Sequence, residues 1–182
     1  IATIVAFLGG LAAGAITGII HTKGRINGLL SGILMMIALY SINMRIMGKP
    51  NVGLLGETTL FTSVSPLVFM PIVVIAIKLL LDLFFRTELG LALRATGDNK
   101  RMIRSFGANT DNTIILGLSL SNGLVALSGA LIAQQSGFAD ISSGIGMIVI
   151  GLASVIIGEA IFGARTVFWA TLAAVLGSIV YR

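Results

Sequence analysis

The sequence predicts an all-α polytopic membrane protein, a transmembrane helical bundle of about six spans with one long charged connection. Three observations carry this reading. Of 182 residues, 56% are apolar and only 10% are charged. A soluble domain carries about 25% charged residues, so most of this surface has lipid as its solvent. The mean hydropathy of +1.04 agrees. The apolar residues also fall in runs of about 20, the helix length that crosses a hydrocarbon core of about 30 Å, whereas barrel strands need about 10 alternating residues.

The first span is Ile1–Ile20, ended by "HTKGR". Gly10, Gly14 and Gly18 recur every four residues and therefore share one of its faces. The second span, Ile26–Met47, repeats the pattern with Gly28 and Gly32 and meets polar Asn43 and Arg45 near its end. Faces of small residues let helix backbones approach closely, which supplies association energy in lipid; lining a substrate path is the other use of such a face. The mixed loop "GKPNVGLLGETTLFTS" follows, punctuated by Gly and Pro.

Pro66–Phe85 is the third span. Its Lys78 and Asp82 are four apart and hence neighbours on one helix face. Charges are costly in the membrane and pairing is the usual remedy, so mutual neutralisation is expected, with a part in transport as the alternative. Thr113–Gln134 is the fourth and most polar span. Its Ser119 and Asn122 share a face, which suits either interhelical hydrogen bonds or a candidate translocation path. After the loop "QSGFADISSG", Gly146–Phe162 is a short fifth run, a full span or a re-entrant half-helix, with Glu159 near its end. An intramembrane acid is a functional candidate by default, and a structural hydrogen bond is its simpler role. Thr166–Tyr181 is the sixth. The chain begins without Met and stops just after an apolar run, so 1–182 reads as one transmembrane domain cut from a longer protein at both ends.

The formal net charge of +5 and pI near 10.3 do not point to nucleic acid, because the cations sit between hydrophobic runs as the positive-inside rule places them. With the long connection inside, the inner set is Lys23, Arg25, Arg86, Arg94, Lys100, Arg101, Arg104 and Arg165. The outer set is Arg45, Lys49 and Arg182. Absence of Cys removes disulfides, thiolate nucleophiles and Cys-ligated metals. His21, the sole histidine, lies beside Lys23 and reads as interfacial; nothing orients a base toward a serine, which argues against a hydrolase. The only "GK", Gly48-Lys49, is followed by Pro50, so the phosphate-cradling G-x-x-x-x-G-K-[ST] loop is absent. No metal, cofactor or bond chemistry is expected of this chain.

The connection "RTELGLALRATGDNKRMIRSFGANTDN", 86–112, holds eight charges in 27 residues. Upstream, "TELGLALRAT" is expected to run on from the third span. Gly97-Asp98 signals a turn, Asn99 suits a helix N-cap, and Gly107 suits a left-handed stop. Between them Lys100–Phe106 forms a short helix with Met102, Ile103 and Phe106 on one face and Lys100, Arg101 and Arg104 on the other. A helix of this length is unstable alone in water and must dock on something. A plain cytoplasmic loop explains the cations but not a capped helix in so long a connection, since most are 2–8 residues.

The segments "GLALRATGDNKRMIRSFGANTD" and "GLSLSNGLVALSGALIAQQSGFADISSGIGMIVIGLASVIIGEAIFG" closely resemble permease subunits of bacterial ABC importers. The group is the branched-chain amino acid and ribose type, and within it the tryptophan/tyrosine-type permeases. The likeness extends through "HTKGRINGLLSGILMMIALYSINMRIMGKPN". It implies that Gly90, Arg94, Gly97, Asp98 and Asn99, with Arg101, Met102, Ile103, Arg104 and Phe106 in the short helix, form a cytoplasmic coupling segment seated in a cleft of an ATP-binding subunit. "ATGDN" stands where many ribose-branch relatives have Gly-Gly-Asn, which argues against a sugar.

The resemblance further implies a permease homodimer in the bacterial cytoplasmic membrane and an external solute-binding protein. The solute would be an amino acid, an aromatic one in the finer reading, and ATP would be hydrolysed on another polypeptide. The rival reading is a secondary transporter driven by an ion gradient through Glu159 or Asp82.

Overall fold

The computed structural model describes residues 1–182 except 55, 57–58, 63–64, 145, 164–165 and 182. Arg165 and Arg182, placed by charge on the inner and outer sides, fall outside the described residues. The chain divides into two units, Ile1–Ser63 with Leu91–Ile141, and Val64–Gly90 with Ser142–Arg182.

In the first unit, α1 (Ala2–Thr22) and α2 (Gly28–Met47) are followed by a short strand, β1 (Asn51–Gly53), and a 3₁₀ turn, Leu60–Thr62. The later part holds most of α4 (Glu88–Asp98), then α5 (Lys100–Ser105), α6 (Thr110–Ser136) and the strand β2 (Phe138–Asp140). In lipid every backbone N–H and C=O must be satisfied within the segment, which is why the long apolar runs are helices. Asn27 caps α2 by accepting from the Leu29 amide, and Gly48, left-handed at φ 67°, ends it two residues before Pro50. Asn109 caps α6 and left-handed Gly137 stops it, so this helix starts and ends outside the apolar run Thr113–Gln134.

The most extensive packing is antiparallel, α1 on α6. A β-carbon on Gly10 would lie 2.6 Å from Ala126 Cβ, and one on Gly18 would lie 2.8 Å from Ile115 Cα. Gly14 meets the backbone of Leu118 and Ser119 in the same way. The glycine face of the first span is therefore a helix seam. On α2 the pattern is not one: Gly32 faces open space and Gly28 meets only the His21 ring. Beyond the far end of α6, β1 and β2 pair antiparallel with Val52 opposite Ala139, extended by Leu54 N–H to Gly137 O and Ile141 N–H to Pro50 O. Three-residue strands are too short for sequence periodicity to reveal.

The second unit holds α3 (Pro66–Arg86), α7 (Met147–Phe162) and α8 (Val167–Tyr181). The last two cross antiparallel at a seam of Gly158, Ala173 and Gly177, where a β-carbon on Gly177 would come within 2.8 Å of Gly158 Cα. Ala173 is fully buried there.

Across both units most of the residues inside are small or hydroxylated, such as Ala13, Thr17, Ser31 and Ser154, with Leu131 and Asp82 as exceptions, while many Leu, Ile and Val side chains face outward. This arrangement is inverted relative to a soluble core and fits a lipid solvent. Among the described residues, four helices, α1, α2, α3 and α6, are long and apolar enough to cross a membrane. With 16 and 15 residues, α7 and α8 extend only about 24 and 22 Å.

Candidate functional site

The charged connection is built from two helices and two single-residue joints. The first joint corrects a sequence expectation: α4 does not run on from α3. Thr87 is extended (φ −75°, ψ 162°); its hydroxyl donates to Phe84 O at 2.6 Å and accepts from the Gly90 amide at 3.3 Å. One residue thereby closes a helix and opens the next. The turn brings the start of α4 so close to α3 that a β-carbon on Gly90 would collide with the backbone of Phe84 and Phe85. Gly90 is thus a steric requirement of this bend.

The second joint is Asn99. Gly97 and Asp98 lie within the last turn of α4 instead of forming a separate turn, because the Asn99 amide still donates to Ala95 O at 2.9 Å. The Asn99 side chain then accepts from the Met102 amide at 3.1 Å and starts α5. At the other end, Gly107 is left-handed (φ 84°). Its amide donates to Arg104 O and the Ala108 amide to Ile103 O, at 3.0 and 3.4 Å. This pair of bonds satisfies the last carbonyls of a helix that stops at a glycine. Caps at both ends hold six residues helical where propensity alone would fail.

Helix α5 ends at Ser105, one residue short of the expected Lys100–Phe106, with Phe106 as its C-cap. Met102 and Phe106 are 53% and 74% exposed, while Ile103 is half-buried. Arg94 and Arg101 are exposed. Arg104 is engaged within the chain: its Nε donates to Thr110 Oγ1 at 2.9 Å and its Nη2 to Asp111 Oδ1 at 2.8 Å. Lys100 reaches the same carboxylate at 3.5 Å. Thr110 and Asp111 form the first turn of α6, so these contacts clamp α5 to the helix that follows. Sequence reading missed the clamp; the signal available was "NTD", an N-cap followed by an acid in the first turn.

The remaining candidates lie elsewhere. Ser119 Oγ donates to Leu11 O at 2.7 Å across the α1–α6 seam, and Asn122 Nδ2 donates to Leu118 O in its own helix. Glu159 is exposed near the end of α7, where its backbone carbonyl accepts from Gly163 N–H. In the second unit Lys78 donates to Asp82 Oδ2, Thr171 Oγ1 donates to Asp82 Oδ1 at 2.7 Å, and the Lys78 ammonium sits 3.8 Å from the centre of the Phe168 ring. The pair is thus satisfied from α8 as well as from within α3.

The inverted surface, the glycine seams and the long apolar helices define a multi-pass helical membrane protein. The chain belongs to the family described as branched-chain amino acid transport system / permease component, which matches residues 1–182. It is 50% identical over 183 residues to a tyrosine transport system permease protein of Clostridioides difficile strain R20291, covering all of this chain and 62% of that protein. It is 41% identical over 134 residues to an uncharacterised protein of Rickettsia prowazekii strain Madrid E, covering 70% of this chain and 47% of that one. The chain therefore spans about half to three fifths of the length of these relatives. No solved structure gives a significant match.

Proposed function

We propose that this chain is the transmembrane permease subunit of an ATP-binding cassette importer of the bacterial cytoplasmic membrane. Its solute is an amino acid of the aromatic class, and ATP is hydrolysed on a separate cytoplasmic subunit. The observation that carries the reading is α5: a doubly capped helix, clamped to α6 by Arg104, that leaves Met102 and Phe106 exposed and without a described partner in this chain. Within the permease family such a helix suits seating in an ATPase cleft, with Met102 and Phe106 as the apolar anchor and Arg101 at the rim. Gly90, Gly97, Asp98 and Asn99 shape the approach to it. The tyrosine in the name of the C. difficile relative supports the solute class. A second permease copy and an external solute-binding protein complete the assembly in this reading.

The test is uptake of labelled tyrosine into proteoliposomes holding permease, ATPase and binding protein. Burying a large apolar side chain contributes about 1.5–3 kcal/mol, so Phe106→Ala is expected to weaken ATPase association about tenfold or more and to abolish coupled uptake at normal permease abundance. Wild-type transport by Phe106→Ala with its ATPase still bound would return the segment to an ordinary loop. Uptake in ATP-depleted vesicles carrying only an ion gradient would instead favour a secondary transporter.

A further inference from the structure

At the α5 end of the first unit lies an open cleft of about 870 Å³ between the α1–α2 loop and the start of α6. That volume is within the roughly 300–1,000 Å³ usual for ligand clefts. Four cations line it, Lys23 and Arg25 from the loop and Lys100 and Arg104 from α5, against the single carboxylate of Asp111. Asp111 is shared by Lys100 and Arg104. Among the described residues, Lys23 and Arg25 have no ion-pair partner.

Two features show that the loop is shaped, not merely basic. Arg25 has φ 54°, the only left-handed non-glycine residue among those described, although Gly24 stands beside it. A side chain held in that conformation is strained, and such strain persists where the surroundings enforce it. The His21 ring is also fixed: its Nδ1 lies 2.7 Å from Ile26 O, and because a carbonyl only accepts, Nδ1 carries the hydrogen. The ring lines the same cleft.

We propose that this cleft binds a phosphate-bearing anion, with Lys23 and Arg25 as its loop ligands and Lys100 and Arg104 as its α5 ligands. Lysine and arginine match phosphate oxygens by charge and by multiple N–H donors. The cleft lies between the end of α1 and the start of α2, helices long and apolar enough to cross a membrane, so the phosphate is either that of an anionic phospholipid headgroup or a free one. Occupancy would bridge the α1–α2 loop to α5 and quiet the latter's motion. That α5 is also the coupling helix rests on the function proposed above; binding itself does not.

The test uses purified full-length protein in nanodiscs of phosphatidylcholine, with and without phosphatidylglycerol. Inorganic phosphate is titrated into the first, native mass spectrometry follows phosphatidylglycerol retained from the second, and hydrogen exchange is measured over residues 100–107 in both. At least one probe is expected to bind and to slow exchange in α5. A basic residue near an anionic surface is worth about fivefold in affinity, so Lys23→Gln with Arg25→Gly should lose about 30-fold.

Arg25→Gly alone relieves the strained backbone and should fold as well as wild type while losing about fivefold. Lys49→Gln, beyond the opposite end of α2, should change nothing. Protection by phosphate without the anionic lipid identifies a soluble ligand; protection only with phosphatidylglycerol identifies a headgroup. No binding of either probe, or binding that the double variant leaves intact, overturns the site. Solute uptake is not read here, so this result and the transport result stand or fall separately.

Discussion

At the scale of single residues, buried charge and exposed charge behave differently in this chain. Lys78 and Asp82 are 12% and 10% exposed at their side chains, so removing one partner strands the other. Asp82→Ala leaves the Lys78 ammonium with only the Phe168 ring, and breaking a buried pair costs about 3–5 kcal/mol. Replacing both, as Lys78→Met with Asp82→Leu, should recover most of the folded yield and thermal stability in detergent. Thr171 supports that outcome because its hydroxyl also reaches Phe168 O at 3.1 Å and is not orphaned. A double variant that folds normally yet fails to transport would make the pair functional.

Arg104 and Asp111 are 57% and 38% exposed, a setting in which ion pairs contribute about 0–1 kcal/mol. Arg104→Asp should therefore speed hydrogen exchange at Met102–Phe106 modestly. Adding Asp111→Arg should restore part of that protection, because the bond from Arg104 Nε to Thr110 and the Lys100 contact with Asp111 are not rebuilt, and salt should blunt both effects. A swapped pair that recovers no protection over Arg104→Asp at low salt would show that the clamp is not electrostatic. The i, i+4 spacing made the first pair readable from sequence alone. The second was hidden because its partners lie on separate helices and meet only once both caps are in place.

At the scale of elements, the glycines separate into two kinds. Gly14 and Gly177 lie where a β-carbon would strike a neighbouring helix, and Gly32 lies in open space. Gly14→Ala and Gly177→Ala should each lower thermal stability, since overpacking costs about 1–3 kcal/mol. Gly32→Ala should be neutral or gain up to about 1 kcal/mol. Equal effects at all three positions would mean that the seams are not close-packed.

The four-residue spacing was visible on both α1 and α2, yet spacing reports only that a face is small, not that another helix covers it. The Gly158–Gly177 seam went unread because each helix brings only one glycine to it, four residues from Ser154 on α7 and from Ala173 on α8. The α3–α4 break was missed for a different reason. Thr87 is an unremarkable residue in a helical pattern, and only the double use of its hydroxyl with the crowding at Gly90 makes it a joint. Asn99 and Gly107, by contrast, were legible because cap chemistry is local.

At the scale of the whole molecule, sidedness is the property on which the coupling proposal depends. Within the first unit the structure gathers Lys23, Arg25, Lys100 and Arg104 around one cleft and ties β1 to β2 beyond the far end of α6. Which end faces the cytoplasm is a prediction from the cations. Residues 1–182 contain no Cys, so single thiols placed in them report cleanly in a background without other cysteines. Ser105→Cys should be protected from a membrane-impermeant reagent added to intact cells, and Ser136→Cys should react. Serine positions are preferable to Gly137, whose φ of 75° would strain a cysteine. Labelling in the reverse pattern would invert the orientation and remove the ATPase from reach of α5. The number of apolar runs was readable because hydropathy is additive along the chain; the division into two interleaved units was not, because it is set by contacts between distant segments.

That interleaving has a consequence in time. Gly10 and Ala126 touch, yet ribosomes add about 5–20 residues per second, so α1 waits roughly 5–20 seconds in the bilayer before α6 exists to cover it. Meanwhile α3, which belongs to the other unit, is delivered first. The nascent chain therefore carries an open glycine seam until α6 has been made. A chain stalled before Thr110 would present that seam bare to every neighbouring helix, an early mark by which membrane quality control could tell an unfinished molecule from a finished one.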